Sequence, residues 1–157
     1  EKISGPGTIT FSDTTSETTM ITAGREGDYV IKCTITSSGE SADGTLPITF
    51  TKAPDVVVAI NSANGNSSYI LSGDVSGENA TINLSSGDVL QITTTLDAHP
   101  LYIKTAASVG TDDLVAGIDN QGTTNGSITW DTDGVSTGTY YYQCGSHSGM
   151  GGSIVIS

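Results

Sequence analysis

The chain predicts an all-β protein of two tandem β-sandwiches, the first of them partial, and three observations lead there. Its Val, Ile and Leu residues fall in short alternating runs among Thr, Ser and Gly, the pattern of thin sheets joined by polar turns. Helical periodicity is nearly absent. Hydrophobic residues are 35% of the chain, against the ~45–50% usual for globular domains, so each core must be thin. The pattern breaks at Thr51-Lys52-Ala53-Pro54-Asp55, where Pro54 suits an extended linker. Residues 1–53 and 54–157 are therefore expected as separate modules.

In the first module the alternation places strands at 8–11, 18–22, 28–36 and 45–51, with Gly, Asp and Ser marking the turns. About fifty residues and four strands bury little surface, so this module is expected to need further strands from elsewhere to complete a sandwich. In the second, strands read at 56–60, 68–71, 80–84, 88–96, 101–105, 127–131, 139–144 and 153–156. Those eight make a complete two-sheet sandwich. The stretch 106–126 reads as a long covering loop with room for one helical turn, anchored by Leu114, Val115 and Ile118. No internal repeat is present.

Five basic against seventeen acidic residues give a net charge of −12. So negative a surface repels phosphate backbones and anionic lipid, which argues against nucleic-acid binding and membrane adhesion. No run approaches the ~20 apolar residues of a spanning helix. The opening at Glu1 reads as a processed chain or a piece of a longer one. An acidic, Thr/Ser-rich β-protein fits an extracellular, cell-surface or virion-exterior setting.

The chemistry concentrates in Tyr142-Gln143-Cys144-Gly145-Ser146-His147-Ser148-Gly149-Met150-Gly151-Gly152, a strand, a tight loop and a second strand. The loop carries a thiol, an imidazole and a thioether spaced Cys-x2-His-x2-Met. Upstream, His99 opens the strand His-Pro-Leu-Tyr-Ile. Copper cycles between Cu(I), which prefers soft sulfur, and Cu(II), which accepts imidazole; two His, one Cys and a distant Met serve both states. The chain has only two His, two Cys and two Met, and both His, one Cys and one Met fall into this pattern. A Cys33–Cys144 disulfide is the bland alternative, but the two cysteines lie in different expected modules.

Residues 54–157 resemble the plastocyanin/amicyanin-like cupredoxins on these motifs, one upstream His and a Cys-x2-His-x(2–4)-Met loop. The resemblance implies a Greek-key sandwich and one type 1-like copper ion, with His99, Cys144 and His147 as equatorial ligands and Met150 as the weak axial one. It also implies two departures. Electron-transfer members usually supply a backbone N–H to the cysteine sulfur from the residue after the first His, and here that residue is Pro100, without an N–H. They also surround the exposed His with apolar residues, where Gly145, Ser146, Ser148 and Gly149 stand here. The wording of the motifs is similar, too, to domains of marine tailed-phage structural proteins and microbial surface proteins. The first module, through Ile3-Ser4-Gly5-Pro6-Gly7-Thr8-Ile9-Thr10-Phe11 and Gly27-Asp28-Tyr29-Val30-Ile31-Lys32-Cys33-Thr34, resembles the later half of an immunoglobulin-like domain of the PKD kind. Tyr29 would be its corner tyrosine.

These resemblances imply a non-enzymatic surface or structural protein carrying a copper site, whose partners are other chains of an assembly. The alternative is a soluble blue-copper electron carrier with a redox partner. Hydrolase elbows, phosphate loops and dinucleotide fingerprints are absent. Asp112-Asp113 and Asp131-Thr132-Asp133-Gly134 read as turns rather than calcium loops. Asn66, Asn79, Asn83 and Asn125 each open a glycosylation sequon.

Overall fold

The computed structural model describes residues 1–157 and is all-β, with fourteen strands and no helix. It divides into two compact units, Glu1–Lys52 and Ala53–Ser157.

In the first unit, β4 (Gly27–Ser37) and β5 (Glu40–Phe50) form a long hairpin in continuous register from Gly27↔Phe50 to Ser37↔Glu40. Ser38 and Gly39 turn it, both with positive φ (54° and 87°), as a two-residue turn matched to strand twist requires. The turn explains why β5 begins five residues before the expected strand. Glu40-Ser41-Ala42-Asp43-Gly44 has no apolar alternation, and the hairpin alone carries it into the ladder. The short β1 (Lys2–Ser4), which the pattern does not reveal, pairs with the other side of β4, giving the order β1-β4-β5. A separate pair joins β2 (Ile9–Phe11) and β3 (Ile21–Ala23).

The core of this unit is small. Tyr29 and Ile31 are its buried apolar residues, while Ile35 and Leu46 are exposed. The Tyr29 ring meets Phe50 edge-on at 5.5 Å, and its hydroxyl donates to the Arg25 carbonyl oxygen at 2.7 Å. That bond returns to the backbone four residues upstream and fixes the chain's entry into β4. Cys33 is exposed and Cys144 buried, and both are free thiols, so no disulfide joins them.

The second unit is a two-sheet sandwich. One sheet has the order β12-β10-β6-β7-β8, from β6 (Val56–Asn64), β7 (Ser68–Gly73), β8 (Gly77–Glu78), β10 (Val89–Thr95) and β12 (Asn125–Asp131). The other has the order β11-β13-β14-β9, from β9 (Ile82–Leu84), β11 (Leu101–Lys104), β13 (Gly138–Cys144) and β14 (Gly151–Ile156). The pairs β10–β6 and β14–β9 are parallel and the rest antiparallel. Parallel neighbours cannot be joined by hairpins, and the chain accordingly changes sheet at each step from β8 to β13.

Alternation decides which side chains fill the space between the sheets. In β10, Leu90, Ile92 and Thr94 are buried, and in β9, Ile82 and Leu84, with the intervening residues turned outward. Aromatic pairs close the core across the sheets: Trp130 of β12 against Tyr140 of β13 at 5.1 Å, and Tyr69 of β7 against Tyr142 of β13 at 6.4 Å. The covering stretch 106–126 contains turns and isolated bridges, Leu101↔Thr123 and Lys104↔Leu114, but no helical turn. Its apolar residues are too few and too scattered to nucleate one.

This topology creates one functional end. In the antiparallel pair β11–β13, Leu101 lies opposite Cys144. The residues just before β11 and just after β13 therefore emerge together. His99 belongs to the first group and the loop leading to Met150 to the second.

Candidate metal centre

His99, Cys144 and His147 meet at that end, and their ligand atoms all lie within 4.8 Å of one another. The chain holds no other such group of three metal-ligating side chains. The Nδ1 atoms of His99 and His147 are 3.2 Å apart, and the Cys144 sulfur stands 3.9 Å from the first and 3.5 Å from the second. The point equidistant from three atoms at these separations lies about 2.1 Å from each. Imidazole nitrogen and thiolate sulfur bind a small divalent cation at roughly 2.0–2.3 Å. The triangle is thus the right size for one ion. Met150 is fully buried in the adjoining core and its carbonyl accepts the Cys144 N–H at 2.8 Å, so the loop closes directly on itself.

Two imidazoles and one buried thiolate, with no carboxylate among them, are donors that zinc and copper both accept. Cys144 is completely enclosed while His99 and His147 are half-buried, so the centre is reached past the imidazoles.

The loop backbone is held at Gly145, His147, Gly149 and Met150. Gly145 N–H donates to the Pro100 carbonyl at 2.8 Å, and the Gly145 carbonyl accepts from Gly110 N–H at 2.8 Å. Gln143 Nε2 donates to the His147 carbonyl at 2.9 Å. Asn79 Nδ2 donates to the Gly149 carbonyl at 2.8 Å, and Asn79 Oδ1 accepts from Gly151 N–H at 3.1 Å. Pro100 lacks a donor for the cysteine sulfur, but its carbonyl ties the His99 segment to the residue after Cys144. Gly145 has to be small, because a Cβ there would stand 2.5 Å from Cε2 of Tyr102.

Sequence reasoning missed Asn79, Tyr69, Gln143 and Lys104. Asn79 opens a sequon, and its amide bonds the loop and accepts from Tyr69 N–H at 3.0 Å. Lys104 sits fully buried, its Nζ donating to the carbonyls of Ser108 at 2.8 Å, Gly110 at 3.1 Å and Val109 at 3.4 Å. It thereby anchors the segment whose Gly110 holds Gly145. No local signal marked Gln143 or Lys104, since a polar residue on an alternating strand reads as an outward one. Among the carboxylates, Asp131 accepts from Asp133 N–H at 2.9 Å, and Asp113 from the Ser108 hydroxyl at 3.1 Å, which is turn chemistry.

Burial pushes the His99 imidazole below its ordinary value of 6.5, and the neighbouring His147 pushes it further the same way. A neutral ring is the form that binds a metal. The folded state then takes up its proton at lower pH than the unfolded chain does, so metal-free stability should rise as pH climbs from the depressed value to 6.5. Thermal melts of the metal-free protein and its His99→Gln variant from acid to neutral pH check this; the variant should lose that part of the slope.

No protein-family model matches the chain, and no curated protein matches it. Among solved structures it is similar to reduced rusticyanin at 1.9 Å, with 24% identity, 65% of this chain and 77% of that chain covered, and a TM-score of 0.43. It is similar also to the copper protein rusticyanin determined at 2.1 Å (21% identity, 65% and 76% covered, TM-score 0.42). The 1.27 Å structure of rusticyanin from Thiobacillus ferrooxidans shares 20% identity over 65% and 75%, with a TM-score of 0.41.

Proposed function

We propose that Ala53–Ser157 is a blue-copper-like domain that binds one copper ion, with His99, Cys144 and His147 as equatorial ligands and Met150 as the axial one. The observation that carries this reading is the triangle of two imidazole nitrogens and one buried sulfur, whose centre lies at bonding distance from all three. A copper ion held there would exchange single electrons between Cu(I) and Cu(II). The chain's part is to supply donors acceptable to both states and to hold them still. The backbone bonds at Gly145, His147, Gly149 and Met150 do so, which favours a site that need not rearrange between states. Enclosure of Cys144 keeps its sulfur from solvent oxidants, and the half-buried imidazoles form the exposed edge through which an electron would pass. Every Lys and Arg except the buried Lys104 lies in Glu1–Lys52, so the charged side chains exposed on the second unit are all acidic. A redox partner would need a positive face. With both histidines committed to the ion, we assign no enzymatic reaction.

Titration of the metal-free protein with Cu(II) tests the reading. Uptake should stop at one equivalent with an intense blue thiolate-to-copper absorption, and His147→Ala should weaken binding by about a hundredfold or abolish the colour. A colourless product would sink it.

A second reading rests on the first unit. β5 is an eleven-residue edge strand, with Leu46 exposed upon it, and long unpaired edges are templates for further chains. It makes the protein a component of an exterior assembly, of a virion or cell envelope, in which copper binding stabilises its domain. Sedimentation analysis separates the two: assembly at micromolar concentration favours this second role, and a stable monomer the first.

A further inference from the structure

We infer that Asn79 and Tyr69 form a clamp that holds His99 and the Met150 end of the ligand loop in one geometry before any ion binds, and so tune the copper site. The inference rests on the copper reading above and concerns residues outside its ligand set.

The loop needs such a device. Ser148-Gly149-Met150-Gly151-Gly152 contains three glycines, and glycine loses more conformational freedom on ordering than any other residue. Left alone, Met150 would sample many positions. Asn79 counters this from 70 residues away. Its Nδ2 grips the carbonyl on one side of Met150, at Gly149, and its Oδ1 grips the N–H on the other side, at Gly151. An amide is suited to this, because it carries donors and a two-lone-pair acceptor on one rigid plane. Asn79 accepts a left-handed backbone, φ 43°, to present it, a conformation that Asn tolerates better than most residues.

The same side chain reaches the other half of the site. Asn79 Oδ1 also accepts from Tyr69 N–H at 3.0 Å, and Asn79 N–H donates to the Tyr69 carbonyl at 2.9 Å. Tyr69 is fully buried, and its hydroxyl donates to the His99 carbonyl at 2.9 Å while its ring meets the His99 imidazole edge-on at 6.4 Å. Gly149 and Gly151, Asn79, Tyr69 and His99 thus form one continuous chain of bonds. It joins the upstream histidine to the loop that carries the other three ligands.

The test uses the full chain with Asn79→Asp, Tyr69→Phe and the double variant. Asn79→Asp keeps the acceptor for Tyr69 and Gly151 but has no N–H for Gly149; Tyr69→Phe removes a single hydroxyl. Copper affinity by competition, the visible spectrum and the reduction potential are measured beside the melting temperature of the metal-free form. Each single variant should lose about tenfold in affinity with a shifted spectrum. The double variant should lose less than the product of the two, because both break one chain. Amide exchange at Gly151 should accelerate in a metal-free Asn79→Ala variant, which removes its acceptor, a readout that requires no copper. Unchanged affinity, spectrum and potential, with only a lower melting temperature, would overturn the clamp and leave the copper reading standing. If Asn79→Asp does not fold, Tyr69→Phe decides alone. A wild-type chain that takes up no copper overturns both.

Discussion

Cys144→Ala should abolish the blue absorption and remove most of the stability that copper confers, while costing the metal-free protein little. The side chain is small and enclosed, so its truncation leaves a void of about one methyl group and costs the metal-free fold on the order of 1 kcal/mol. The loaded protein has more to lose. An ion that binds only the native state stabilises it by about 4 kcal/mol when its free concentration is a thousand times Kd. Without the thiolate, two imidazoles and a thioether remain, a set far weaker for either oxidation state. The gap between loaded and metal-free melting temperatures, of the order of 20 °C for a domain near a hundred residues, should nearly close. Parallel melts without copper and with free copper buffered at about a thousand times the wild-type Kd check this. Equal losses in both forms would make Cys144 ordinary core packing.

Lys104→Met should do the opposite, lowering both forms together. Lys104 Nζ satisfies carbonyls of Ser108, Val109 and Gly110 inside the protein, where water cannot replace it. Methionine fills a similar volume but donates nothing, and stranded acceptors cost about 1–3 kcal/mol each where they stay buried. Some relaxation of the loop will recover part, so a net loss of about 2–4 kcal/mol is expected. The Gly110–Gly145 bond should loosen with it, exposing Gly110 N–H to exchange. Denaturant unfolding and amide exchange measure both effects. A loss under about 0.5 kcal/mol, the size of an ordinary surface substitution, would mean that the three carbonyls find other partners.

The contrast between these two residues shows what can be read from a sequence. Cys144, His147 and Met150 sit within seven positions, and the chemistry of a thiol, an imidazole and a thioether at that spacing is local information. His99 was legible because the chain has only one other histidine. Eight of the nine β-strands of the second unit were legible because alternation in stretches such as Val89–Thr95 directly encodes which face is buried, while the two-residue β8, Gly77–Glu78, is too short to show a pattern. Lys104 was not, since on an alternating strand a lysine reads as an outward residue, and only the fold of 108–110 supplies the carbonyls that let it turn inward. Asn79 and Tyr69 were hidden for the same reason. Their partners lie 70 and 30 residues away, and no local pattern records a bond formed by the register of distant strands. Pro100 was read as a missing donor, while the structure uses its carbonyl. The first half of β5 was missed because a turn, not hydrophobicity, places it in the sheet.

X-ray absorption at the copper edge, on the full chain loaded with one equivalent, tests the metal centre most directly. Two nitrogen neighbours and one sulfur neighbour in the nearest shell are the predicted result, with both nitrogens from imidazole. A shell of nitrogen and oxygen alone, without sulfur, would contradict the account.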